Sequence, residues 1–306
     1  MINLLKEGDK SQFLDFLNTH WKKDHVFVKS ELLFDYQHKS GKEYNFLITK
    51  REDKITSILG FIPSDSEGKH FWLAIWKSKS ENGTDGISLL FKLLKRKPIF
   101  IGALGISSKA KNIYISLKWE PGRLSHYFLS STKKSNLRVF NSSKSIENFL
   151  FSSKFKFCQS QDWCLPQKDK HYLEKRYLKH PFFKYYFLSI LNNEITFIGR
   201  IVEYNSLKVF HVVDVLGDLN GKKISESISS FLKKESFDLF EMLIFDSRGV
   251  DSDLMIKNKS EVIPTYFSPF EYRNIQIELC YKKSKELPVR FFLGDSDQDR
   301  PNQLNL

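Results

Sequence analysis

The chain has 306 residues, 41% of them hydrophobic, enough to build one large domain or two ordinary ones with real cores. No apolar run approaches the roughly 18 residues a membrane-spanning helix needs, and the opening stretch MINLLKEGDK mixes acid and base without a long apolar stretch or cleavage site, so a soluble, cytoplasmic protein with no stable membrane insertion is expected. The formal charge of +12 comes from lysines spread along the chain, such as Lys77, Lys92, Lys133, Lys222 and Lys234; with no RNA-reading aromatic motif or helix-turn-helix pattern, it fits a surface that attracts a small anionic substrate better than nucleic acid.

Taken in chain order, the first informative stretch is HFWLAIW, residues 70 to 76, apolar and aromatic on both strand faces as in a central, doubly covered strand. A polar loop with Gly83 and Gly86 follows, then Ile87, Leu90, Phe91 and Leu94 at helical spacing with Lys92, Lys95 and Arg96 on the other side. A glycine-containing turn from strand into helix leaves backbone N–H groups at the positive end of the helix dipole, a cradle for a phosphate. The plainer alternative is a turn with Asp85 as helix cap, and the Asp85 carboxylate would itself repel an anion. After Pro98, IFIGALGI reads as a second strand, and residues 107 to 119 read as a helix with Ala110, Tyr114 and Leu117 on one side.

The second part of the chain repeats this order. KVFHVVDVL (208–216) reads as a strand, GDLNGKK as a polar glycine loop, residues 224 to 234 as an amphipathic helix and LFEMLIFD (239–246) as a strand. Asn82-Gly83 before Ile87-Ser88 is echoed by Asn220-Gly221 before Ile224-Ser225. A repeat of about 140 residues suits two tandem domains of one fold. The Ser- and Lys-rich stretch between them reads as a connection, giving halves at 1–135 and 151–306 joined by 136–150. Cys158, Cys164 and Cys280 lack C-x-x-C spacing and the eight histidines lack H-x-x-x-H or H-x-H spacing, so neither a disulfide framework nor a metal site is expected.

Strand, glycine loop, helix, strand, helix resembles the acyl-CoA-binding core of the GNAT acyltransferases. AKNIYISLKW, Ala110 to Trp119, looks like that family's A-x-x-x-Y-x-x-L-G-F helix end, with Tyr114 at the tyrosine, Trp119 at the aromatic and Lys118 in place of the glycine. EPGRLSHYFL (120–129) fits the strand that follows. The resemblance implies an α/β protein of two tandem GNAT-like domains, each a mixed, mostly antiparallel sheet flanked by helices. YLEKRYLKHPFFKYYFL (172–188) and the terminal GDSDQDRPN (294–302) resemble sugar N-acyltransferases of bacterial lipopolysaccharide, O-antigen and capsule synthesis. That narrower resemblance implies acyl transfer from acyl-CoA to the amine of a nucleotide-linked amino sugar, the nucleotide being dTDP. The alternatives are a GNAT-like aminoacyl or peptide acyltransferase and a non-catalytic tandem domain that binds an acidic partner.

The chemistry needs a neutral amine, a grip on the CoA phosphates, donors for the developing oxyanion and a proton for the departing thiolate. Asn82, Gly83, Thr84, Asp85 and Gly86 form the candidate pyrophosphate loop, and an N–H released where strand 70–76 splays would serve the thioester carbonyl. The resemblance makes Tyr114 the group that protonates or hydrogen-bonds the thiolate; otherwise its ring is core. Asp214 interrupts an apolar strand, as a base or as a buried hydrogen-bonding group, and His126 is the other candidate base. An amino sugar is less basic than lysine, so positioning alone can suffice. His211 alternates to the strand face opposite Asp214. For the nucleotide-sugar the candidates are Arg176, Tyr177 and His180, with Asp295, Asp297, Gln298 and Arg300 in a tail expected to fold over a polyhydroxylated ligand.

Overall fold

The computed structural model describes residues 2–79, 84–131, 149–157, 162–204, 206–250, 256–257 and 277–299. In the first half, β1 (Ile2–Lys6) is followed by helices α1 (Lys10–His20), α2 (Val26–Lys29) and α3 (Glu31–His38). Strands β2 (Lys39–Ser40), β3 (Glu43–Arg51), β4 (Lys54–Pro63) and β5 (His70–Ser78) then lead into α4 (Thr84–Leu94), β6 (Phe100–Leu104), α5 (Ser108–Ser116) and β7 (Glu120–Arg123). In the second half come β8 (Ser125–Ser130), β9 (Phe149–Ser152), α6 (Lys170–Leu173) with a π-helical turn over Glu174–Leu178, β10 (Tyr186–Ile190), β11 (Ile195–Tyr204) and β12 (Leu207–Leu216). They are followed by α7 (Ser225–Lys234), β13 (Leu239–Asp246), β14 (Ile256–Lys257), β15 (Glu278–Lys283) and β16 (Arg290–Phe292).

The described strands form two sheets, in the orders β1-β3-β4-β5-β6-β15-β7 and β14-β8-β13-β12-β11-β10-β9, with β2 added to β3 and β16 to β13. Both are mostly antiparallel, and the parallel pairs β5–β6 and β12–β13 stand at matching places in the two halves. The sheets do not follow a division at 135 and 151. The stretch 120–129, expected as one strand, breaks at Leu124 into β7 of the first sheet and β8 of the second. In exchange, β15 returns to the first sheet and inserts between β6 and β7. The connection expected at 136–150 lies outside the described residues up to 148.

Four apolar clusters hold these layers. Helices α1 to α3 bury Phe13, Phe16, Phe27 and Phe34 against Tyr44, Phe46 and Ile58 on one face of the first sheet. On its other face Leu89, Leu90 and Leu93 of α4 meet Leu59, Leu73 and Ile101; the buried stripe is turned from the expected Ile87, Leu90, Phe91 and Leu94, of which Leu90 is fully buried and Phe91 is exposed. Helix α7 covers the second sheet in the same way through Ile228, Phe231 and Leu232. The remaining cluster joins the halves: Ile62, Trp72, Phe100 and Tyr281 of the first sheet pack with Phe187, Ile198, Val213 and Leu243 of the second, and Val289, Phe291 and Leu293 run between them.

Candidate active site

Strands β5 and β6 run parallel from His70 opposite Phe100 to Leu73 opposite Ala103. On its other side β5 carries a bulge: Leu59 and Phe61 of β4, two residues apart, face Trp76 and Leu73, three residues apart. An extra residue bends the strand and increases its twist. Beyond Leu73, among the described residues, no strand pairs with Ala74–Lys77 on the side of β6. The result is a wedge between two parallel strands with an open backbone edge.

Helix α4 starts at the mouth of this wedge. A Cβ on Gly86 would stand 3.1 Å from Trp76 Nε1, and that indole N–H donates to the Gly86 carbonyl at 3.0 Å. Gly86 therefore lets the helix approach the strand, as a side chain there would not. Asp85 is held from the sheet, accepting from Arg51 Nη2 at 2.9 Å and Thr56 Oγ1 at 3.4 Å. The Arg51 guanidinium offsets the carboxylate charge that counted against a phosphate. Thr84 opens the helix, while Asn82 and Gly83 lie outside the described residues.

Tyr114 lies on α5, whose first turn is capped by Ser107 accepting from the Ala110 N–H. Its ring is buried between Trp76, with centroids 5.5 Å apart, and Trp119, at 4.6 Å. Tyr114 thus touches the splayed part of β5, with its ring in the core. Burial pushes its phenol far above the ordinary value. A phenol so shifted stays protonated and keeps an O–H to donate.

The second half repeats the geometry and then closes it. Ile198 faces Asp214 while Gly199 faces Val212, so β12 bulges at Val213. Strands β12 and β13 are paired only from Val209–Leu239 to Val212–Met242. Into this wedge the chain inserts its own β16, with Phe292, Phe291 and Arg290 opposite Ile244, Phe245 and Asp246. The Gly294 N–H then donates to the Val213 carbonyl at 2.7 Å, and Arg290 Nη1 to the Gly217 carbonyl at 2.7 Å.

The bulge also corrects the reading of His211. Ile198 faces Asp214 and Arg200 faces His211; Ile198 and Arg200 are two residues apart on one face, so Asp214 and His211 share that face. Asp214 is not available as a base. Its carboxylate accepts Lys168 Nζ at 2.8 Å on both oxygens, Tyr177 OH at 2.8 Å and the Val215 N–H at 2.9 Å. Lys168 also pairs with Asp295 at 2.7 Å. Burial, helped by the nearby Asp214 charge, pushes the Asp295 carboxyl up to about 6 against the pull of Lys168.

His126 Nε2 lies 3.0 Å from Glu241 Oε2, and His211 Nδ1 lies 2.7 Å from Glu241 Oε1. Burial would raise the Glu241 carboxyl, but the two imidazoles outweigh it and hold it at about 2. His126 is thus an imidazole oriented by a carboxylate. Glu241 interrupts LFEMLIF just as Asp214 interrupts its strand, so the same signal in the sequence marks it. Nothing of that kind marks Lys168, which lies in a polar loop.

The described part of the tail is packed into the body of the protein. Asp295, Asp297 and Asp299 are buried at 0%, 5% and 1% exposure. Ser296 Oγ donates to the Leu73 carbonyl at 2.7 Å and Gln298 Nε2 to the Leu104 carbonyl at 3.2 Å, both at the apex of the first wedge. Asp297 Oδ1 accepts from Ser296 Oγ and Gln298 Nε2, each at 3.3 Å. The π-helical turn directs Arg176 and Tyr177 inward; Arg176 Nη2 donates to the carbonyls of Gly294 at 3.0 Å and Asp299 at 3.3 Å. His180 Nδ1 accepts the N–H groups of Phe182 and Phe183, and burial beside Arg176 lowers its pKa to about 3. These groups, expected to hold a nucleotide-sugar, are engaged in holding the two halves and the tail together. Arg300 lies outside the described residues.

No family model matches the sequence, and no curated protein matches it. Solved structures do. A GCN5-related N-acetyltransferase from Anabaena variabilis matches 92% of this chain and 72% of its own, at 10% identity and a TM-score of 0.53. A Pyrococcus horikoshii protein described as a candidate acetyltransferase matches 93% of this chain and 89% of its own, at 14% identity and a TM-score of 0.52. A conserved Enterococcus faecalis protein described as a probable N-acyltransferase matches 92% and 72%, at 11% identity and a TM-score of 0.51. The fold is therefore the expected one, two tandem GNAT-like domains, each with a mixed sheet flanked by helices.

Proposed function

We propose that the protein is an acyl-CoA-dependent N-acyltransferase with one cofactor site per chain, in the first half. The observation that carries this reading is the open edge of β5 from Ala74 to Lys77 beside helix α4 with Gly86 in its first turn. The pantetheine arm of CoA is an extended chain with two amides, and such a chain can add to an exposed strand edge by main-chain hydrogen bonds. Its pyrophosphate would then meet the start of α4. In the second half the same edge is occupied by β16.

The reaction is direct attack. The neutral amine adds to the thioester carbonyl, and a backbone N–H at the β5 bulge stabilises the oxyanion. Collapse breaks the C–S bond, the thiolate leaves with a hydrogen bond from Tyr114, and the ammonium proton passes to His126 or to water. The acceptor is the amine of a nucleotide-linked amino sugar; the basic surface and the likeness of the 172–188 and 294–302 segments to sugar N-acyltransferases support this choice. Calorimetric titration with acetyl-CoA and thiol release in the presence of amino-sugar nucleotides test the reading. One acetyl-CoA per chain and amine-dependent thiol release are expected. Absence of binding overturns the function, and a stoichiometry of two overturns the placement.

A further inference from the structure

The second half, with its wedge closed, has a cavity of about 730 Å3 whose floor reaches Leu216 and Gly217 at the end of β12. This is within the range of small-molecule sites, about 300–1,000 Å3. It opens on the face of the second sheet that is turned toward the first half. Phe187 belongs to the core shared by the two sheets, Ser189 is two residues further along β10 on the same face, and Thr196 stands opposite Ser189.

The lining has three kinds of chemistry. Aromatic rings come from Phe155, Phe187 and Trp163, with Phe155 stacked on Phe187 at 4.8 Å and 11° and Trp163 covered by the Arg248 and Arg290 guanidinium groups at 4.8 and 4.9 Å. Ammonium groups come from Lys154 and Lys156 at the rim; Lys154 has no carboxylate partner among the described residues. Small polar groups come from Asn193 and from the hydroxyls of Ser189 and Thr196, 2.8 Å apart and buried. Glu194, the one acid at the rim, is paired with Lys222 at 2.6 Å, so its charge is compensated.

We propose that this cavity binds a nucleoside diphosphate, with the base against the Phe155 ring and the diphosphate at Lys154 and Lys156; identifying it as the carrier end of the acceptor rests on the acyltransferase reading above. Base–aromatic stacking and charge-assisted phosphate contacts are the ordinary means of holding such a group. Coenzyme A contains a nucleoside diphosphate too, but its pantetheine arm would find β16 already in the neighbouring wedge, where Arg290 bonds to Gly217.

Calorimetric titration of the full chain with dTDP is the test, with inorganic pyrophosphate and CoA as parallel probes. Saturable one-to-one binding of dTDP is expected, not reproduced by pyrophosphate and not displaced by CoA. Phe155→Ala and Lys154→Glu should each weaken it by about 10-fold or more. Lys154 is exposed, so its variant keeps the test valid should Phe155→Ala unfold. No heat with dTDP, an affinity unchanged in a folded variant, or displacement by CoA overturns the proposal. Acetyl-CoA titrated separately reports on the acyltransferase reading: dTDP binding without acetyl-CoA binding leaves the cavity site standing and removes the enzyme.

Discussion

Asp299 offers the sharpest check on the tail as a structural wedge. Its carboxylate accepts from Arg200 Nη2 at 2.5 Å and from Tyr185 OH at 2.7 Å, and its carbonyl accepts from the buried Arg176 at 3.3 Å. Burial alone would raise the carboxyl pKa, but Arg200 and Arg176 outweigh it and hold it below the ordinary range. Asp299→Ala therefore leaves the Arg200 guanidinium and the Tyr185 phenol short of an acceptor in a site with almost no water, while Arg176 keeps the backbone carbonyl. Removing one partner of a buried ion pair costs about 3–5 kcal/mol, a large part of the roughly 5–15 kcal/mol that holds a protein folded. At roughly 2–4 °C per kcal/mol for a chain of this size class, the midpoint should fall by roughly 6–20 °C. Asp299→Asn restores the shape and an acceptor for Tyr185 but not the charge, so an intermediate loss is expected. Urea and thermal unfolding measure both. A loss below about 1 kcal/mol for Asp299→Ala would show that the tail is a solvated end, as ordinary surface substitutions behave.

Three further outcomes follow from the site. Tyr114→Phe should lower kcat by about 10–100-fold with the fold intact, the worth of one hydrogen bond to a charged group; an unchanged kcat leaves Tyr114 as packing. Gly86→Val puts a branched side chain against Trp76 Nε1, 3.1 Å from the position of its Cβ, and should cost about 1–3 kcal/mol of stability while weakening acetyl-CoA binding; unaltered affinity in calorimetry would remove the α4 start from the cofactor site. Two buried carboxyls should give opposite pH dependences. Glu241, held at about 2 against 4.5 when unfolded, contributes stability that is present above pH 4.5 and lost as pH falls toward 2, whereas Asp295, raised from 3.8 to about 6, contributes stability present below 3.8 and lost as pH rises through 6. Unfolding free energies of Glu241→Gln and Asp295→Asn against the parent should thus converge at low pH for the first, and shift in favour of the variant as pH rises from 3.8 to about 6 for the second; differences flat across those ranges would refute both.

Much of the core was legible. The strand at 239–246 and the helices beginning near 84 and 224 follow from apolar spacing, because each buries one regular face. The exchange of β8 and β15 was not, since the apolar pattern of a short strand records that it is buried, not which of two similar sheets it joins. Nor was the shared face of His211 and Asp214: strict alternation fails at a bulge, and β-branched Val213 carries no mark of one. Among site residues, Gly86 was legible as a glycine at a strand-to-helix junction, though its task here is close packing on Trp76. The acidic tail stood out by composition, but composition does not distinguish carboxylates that await a ligand from carboxylates already paired with Lys168 and Arg200.

The two halves show how one geometry can serve two ends. A bulge followed by divergence of two parallel strands creates an edge of backbone groups that cannot remain dry and unpaired. In the second half the chain satisfies that edge itself through β16 and Gly294, which fixes the halves together and commits the wedge to stability. In the first half, among the described residues of the tail, Ser296 and Gln298 reach the wedge, and they stop at the carbonyls of Leu73 and Leu104. The edge beyond Leu73 then needs water or a ligand with amides of its own. A tail that fills one wedge and ends at the apex of the other ties the stability of the second half to the shape of the first. Loosening Asp299 or Lys168 should for that reason disturb cofactor binding from a distance, with the acetyl-CoA affinity of Lys168→Met falling even though Lys168 lies on neither strand of the first wedge. Unchanged acetyl-CoA affinity in a folded Lys168→Met protein would show the two wedges to be independent.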